Sequence, residues 1–228
     1  MDRIKKSMEK NFDAWLMATV GVIFLCIIGF MYVHSGRGRF VYSEHLDDAA
    51  FKVNDTEITL KEASYYVMVI ESNINEAALQ YNANDPKRYW NIYMNDGENR
   101  SNFLSAQAKE DMKASCIRDA IYYMEAQKAG VSLSKEEKEQ VMDDAYEQEK
   151  LMTGKMLEVT GYEYSDLCYV MEKIAIVKKY INTLMEKGYT EEQLDVGGEY
   201  YEELKGTYSL WENEDIWDEV TLGSVTIN

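Results

Sequence analysis

Between Ala14 and Val33 the chain runs twenty residues without a charge (AWLMATVGVIFLCIIGFMYV), and no later stretch matches that run in length and apolarity. At about 1.5 Å rise per residue it reaches roughly 30 Å, the hydrocarbon thickness of a bilayer. The run predicts a transmembrane helix. Phe30, Met31, Tyr32, Val33 and His34 offer no small-residue cleavage pattern, so the expectation is an uncleaved signal anchor. Cys26 lies behind bulky Phe24 and Leu25, which argues against lipidation there. Arg3, Lys5, Lys6 and Lys10 precede the span, against Arg37 and Arg39 after it. That bias predicts a cytoplasmic tail over 1–13 and everything beyond the span outside. Trp15 and Tyr32, near its two ends, fit interfacial anchoring.

Beyond the span the pattern changes period twice. Residues 34–48, containing SGRGR, are poor in apolar positions and predict a tether, with one domain over 49–228. AFKVNDTEIT alternates around Asn54 and Asp55, which predicts a hairpin. Thr59 and Glu62 then have capping-box spacing before a helix with Leu60, Ala63, Val67, Ile70, Ile74, Ala77 and Tyr81 on one face. From Asn84 to Asn102 the periodicity stops, and the stretch predicts an irregular excursion or a second small hairpin. A long helix is expected over Phe103 to Ala129 with Met112, Cys116, Ile117, Ala120, Ile121 and Met124 inward, stopped by Gly130. Ser134 and Glu137 cap the next, which runs to about Met152 with Val141, Met142 and Ala145 inward.

Ser165 is the expected cap of a strongly amphipathic helix carrying Leu167, Val170, Met171, Ile174, Val177, Ile181 and Leu184, ended by Gly188. A weaker helix is expected from Glu191 to Lys205, with Gly197 and Gly198 lowering its propensity by about 1 kcal/mol each. EVTLGSVTIN, alternating and β-branched, predicts a terminal strand that pairs with the opening hairpin. The predicted fold class is mainly α: an N-terminal transmembrane helix, then one extracytoplasmic helical domain whose small β element joins the opening hairpin to the C-terminal strand.

Charge and chemistry narrow the function. Of 24 basic and 41 acidic residues, 18 and 38 lie beyond residue 40. A field of that sign opposes nucleic acid and anionic headgroups, where Lys and Arg must neutralise phosphate. Cys116 and Cys168 fall on helical stripes and read as small buried hydrophobes, both reduced. The two histidines, His34 and His45, stand in the predicted tether, so a His-based triad or metal site requires the tether to fold back. Phosphate-binding, dinucleotide, C-x-x-C and H-E-x-x-H motifs are missing from the sequence. Runs such as Glu136, Glu137, Glu139 or Glu212, Glu214, Asp215 read as solvated faces, and Asn95 to Asn99 as turn chemistry without EF-hand spacing. No catalytic residue, metal or cofactor is expected.

Three stretches, in order, resemble the extracytoplasmic SurA/PrsA-type chaperones and foldases in their N-terminal helical domain: VNDTEITLKEASYYV, EAQKAGVSLSKEE and YTEEQLDVGGEYYEELKGTY. The likeness covers most of residues 49–210; Asp55 replaces the family's usual turn glycine, and Gly197 and Gly198 interrupt the last helix. The eighteen residues after Leu210 leave no room for the family's parvulin isomerase module, whose site also uses paired histidines. The resemblance therefore implies a holdase without prolyl isomerase catalysis, on a single-pass bacterial cell membrane protein, whose partners are unfolded or newly translocated polypeptides. The alternative is an envelope or secretion adaptor that binds one specific protein. Eighteen tyrosines and thirteen methionines supply adaptable contact surface. Tyr122, Tyr123, Met124, Tyr169 and Met171 are the peptide-binding candidates, helical spacing favouring core or its margin for each.

Overall fold

The opening hairpin forms where alternation places it. In the computed structural model, which describes residues 40–95 and 101–223, strand β1 (Ala49–Val53) pairs antiparallel with β2 (Thr56–Thr59). Asn54 takes φ 53°, the left-handed region that Asn tolerates better than most residues. Its backbone N–H donates to Ser209 O at 2.7 Å, and its Oδ1 accepts from Ser209 N at 2.8 Å. The turn residue thus clamps the chain's return, strand β5 (Leu210–Glu212), against the outer side of β1. The sheet order is β2-β1-β5. The expected partner of the hairpin was the terminal EVTLGSVTIN. Its described part, through Gly223, forms no strand, and residues 224–228 lie outside the described residues. Leu210–Glu212 takes the position instead, because Asn54 fixes the chain one residue before it.

Helix α1 (Leu60–Tyr81) starts at Thr59, whose side chain accepts from Glu62 N at 3.2 Å. The Glu62 carboxylate is drawn to Lys173. Its buried face holds Leu60, Ala63, Ser64, Val67, Met68, Glu71 and Ala78, so the stripe lies about one position off the expected Ile70 and Ile74. Glu71 is tolerated inside because it accepts from Gly223 N at 2.5 Å. A short α2 (Lys87–Trp90) leads into a hairpin of β3 (Tyr93–Asn95) and β4 (Ser101–Phe103). The oxygen-rich 96–99 lies outside the described residues.

Helix α3 (Leu104–Lys128), stopped by Gly130 at φ 71°, is the spine, and both α1 and α6 (Tyr164–Glu186) pack against it. Helix α4 (Lys135–Leu151) packs on α6 and begins with the expected reciprocal cap of Ser134 and Glu137. Val141 and Ala145 face in, while Met142 is half exposed rather than inward. Between them, α5 (Gly154–Thr160) ends at left-handed Gly161. Helix α6 begins two residues earlier than Ser165 predicts, with Glu163 as its cap and the Asp166 carboxylate accepting from Glu163 N at 2.9 Å. Leu167, Val170, Ile176, Val177, Tyr180 and Leu184 are buried, and Met171, Ile174 and Ile181 lie at the margin.

The segment expected as tether is part of the fold over 42–48. The 3-10 turn Tyr42–Glu44 lays Tyr42 OH 2.8 Å from Ser64 Oγ, and Leu60 N and Lys61 N donate to Asp48 O and Leu46 O. These bonds occupy the orphan donors of the α1 N-terminus. The predicted span 14–33, with Cys26, and the tail 1–13 lie outside the described residues. Among the described residues no helix is long and apolar enough to cross a membrane.

Candidate functional site

The segment after α6 is expected as one helix and is broken in two: α7 (Glu191–Leu194) and α8 (Glu199–Lys205). Asp195 turns extended after the first piece, and Gly197 takes φ 82° in the connection that follows. A Cβ on Gly198 would sit 2.2 Å from Glu192 O and 2.5 Å from Gln193 O, so the chain folds back on itself more closely than any other residue allows. Both pieces are pinned to α3. Leu194 and Tyr201 are buried beside Tyr122, whose OH donates to Leu194 O at 2.7 Å. Arg118 donates to Asp119 at 3.0 and 3.1 Å and also reaches Asp195 in the connecting loop.

Clefts open on both sides of α8. One, about 400 Å³, is lined by Tyr189, Gln193, Glu199, Tyr200, Glu203 and Leu204, with the two tyrosine rings 4.6 Å apart. The other, about 460 Å³, is a groove with Ala114 and Ile117 of α3 as its floor, Val196 and Gly197 on one side and β5 on the other. Val196 and Leu210, each 39 % exposed, are apolar side chains at a concave junction. Its rim is acidic. Lys113 is held by Glu110 at 2.8 Å and Glu212 at 3.1 Å, and Lys205 by Glu202 at 3.2 Å, so both lysines are already paired. Lys52 lies over the Trp211 ring at 5.2 Å, on the far face of the sheet.

The sequence candidates divide between core and surface. Tyr122 is fully buried in the core, and its hydroxyl is used inside the fold. Tyr123 and Tyr169 come together over Lys173, whose Nζ lies 5.2 and 5.4 Å from their rings, while Met124 and Met171 are half-buried nearby on the same two helices. Val196 and Leu210 carry no periodic signal in the sequence. Only the broken helix and the returning strand bring them together.

Burial pushes the Cys116 thiol well up, which leaves it protonated, and Cys168 is also free. His45 does return to the domain surface, where its Nδ1 lies 2.7 Å from Asp48 Oδ2. No group of three or more His, Cys, Asp or Glu that could hold a metal occurs among the described residues. Asp119 is the informative carboxyl. Burial raises it above the ordinary carboxylate value, against the Arg118 guanidinium and the Tyr66 hydroxyl, which lower it.

The native state therefore holds that proton more tightly than the unfolded chain. This contribution to stability is complete below about pH 3.9 and is lost as pH rises through the raised native value. Urea unfolding of the wild type and Asp119→Asn across pH 3 to 6 should show the wild type losing stability relative to the variant as pH rises; parallel curves would contradict it. No protein-family model, curated protein or solved structure matches the chain.

Proposed function

We propose that this protein is a membrane-anchored extracytoplasmic holdase that shelters unfolded or newly translocated polypeptides and has no prolyl isomerase activity. The span 14–33 tethers it, and the helical domain presents the binding surface. The observation that carries the reading is the groove between α3, α8 and β5, where Val196 and Leu210 stand exposed in a concave, acid-rimmed setting. Exposed apolar side chains grouped in a concavity mark an interaction site rather than a solvated face. The order of elements supports it further: hairpin, capped helix, glycine-stopped helix and recapped helix follow the family's order.

The full-length chain in mild detergent should suppress aggregation of several unrelated denatured proteins at equimolar amounts, without accelerating proline isomerisation assayed in parallel. No suppression for any client would overturn the reading. Capture of one protein with charge-sensitive kinetics would then favour the adaptor.

A further inference from the structure

We propose that the groove takes an extended polypeptide segment carrying basic side chains, which adds as a fourth strand along the free edge of β5. Because the segment's source is a holdase client, the site rests on the function proposed above.

The free edge follows from ladder geometry. Asn54 N donates to Ser209 O at 2.7 Å and Asn213 N to Ala50 O at 2.9 Å. In an antiparallel pair, hydrogen-bonded and non-bonded positions alternate, so Lys52 and Trp211 form the bonded pair between those two. Leu210 and Glu212 then turn their N–H and C=O away from β1. Among the described residues neither backbone finds another partner, and β5 is an outer strand of the sheet. The same two residues line the groove. An incoming strand would therefore find backbone donors and acceptors on one side and Ala114, Ile117 and Val196 on the other. This is how edge strands take up peptides: main-chain bonds hold any sequence, and side-chain pockets choose among them.

Charge selects the occupant. Glu110, Asp111, Glu202 and Glu212 border the groove against only Lys113 and Lys205, so carboxylates outnumber lysines there even with both lysines in ion pairs. A second copy of β5 would bring Glu212 against an acidic rim, whereas a segment with Lys or Arg between apolar residues meets opposite charge. The edge is three residues long, roughly 10 Å at about 3.3 Å per residue, which gives a short, weak grip. Weak, sequence-tolerant binding is what release of a client requires.

The test uses the full-length chain in mild detergent and a fluorescent peptide of about eight residues alternating Lys and Val. The expected results are measurable binding, at least about tenfold weaker binding when two adjacent central amides of the peptide are N-methylated, and a similar loss when Glu replaces Lys. Leu210→Pro should cause the same loss, since its ring fills the outward N–H position and leaves the pairing with β1 intact. The methylated peptide needs no variant, so the test survives a Leu210→Pro chain that fails to fold.

Equal affinity for methylated and unmethylated peptides would overturn the edge, even if aggregation suppression persists. Edge-dependent binding without suppression would keep this site and overturn the holdase. Dimerisation abolished by Leu210→Pro, with no peptide binding, would assign the edge to a second copy and overturn the proposal.

Discussion

Trp217→Ala should lower unfolding free energy by about 3–5 kcal/mol, the range for emptying a large aromatic site in a core. Trp217 is among the largest fully buried side chains. It lies in α9 (Glu214–Trp217), its ring meets Phe51 edge-on at 4.7 Å between centroids, and Lys109 Nζ stands 5.3 Å from it. It therefore joins the C-terminal segment to β1. Its indole N–H finds no hydrogen-bond partner among the described residues, a cost already present in the wild type. Trp217→Phe keeps the aromatic contact and removes that orphaned donor, so its loss should be smaller, about 1 kcal/mol. Urea unfolding of both variants checks the pair. Equal losses would show that the N–H is not the liability described.

The second large effect is expected at Gly198. Replacement by alanine places a methyl group against the carbonyl oxygens of Glu192 and Gln193, neither of which is the end of a flexible side chain. Overpacking of this kind costs about 1–3 kcal/mol, and relief requires α7 and α8 to separate. Since Val196 and Gly197 form one wall of the groove, Gly198→Ala should weaken peptide binding more than its stability loss accounts for. Thermal unfolding and peptide affinity measured on the same sample separate the two. Gly206→Ala is the control, because its Cβ meets only contacts at 3.4 Å.

The sequence carried the long elements because their signals are local. Asn54, Thr59, Gly130, Ser134 and Gly188 each fix a boundary through a backbone conformation or a cap, and the structure uses all five. The misses also have local causes. Helix α5 begins with Thr153 capping Met156 N, while Met156 Sδ takes the return position that Glu or Gln usually fills. A Ser/Thr-x-x-Glu pattern does not find it. Glu163 and Asp166 displaced Ser165 as the start of α6 because a carboxylate reaches the N-terminal amides as well as a hydroxyl does.

Glu71 shifted the face of α1 because its partner is Gly223, 152 residues away. The groove was illegible for the same reason. Val196 and Leu210 stand in separate segments, and contacts between distant parts of the chain alone make them neighbours.

The clamp between Asn54 and Ser209 also sets a clock. Those residues are 155 apart in the chain, so the central strand waits for its second neighbour until nearly the whole domain has been made. Closing so long a loop is slow compared with forming the helices it encloses, which fold on local contacts. A chain emerging N-terminus first would assemble its hairpin and helical spine with one side of β1 still bare. The edge strand, and with it one wall of the groove, would form only after the helices it closes over.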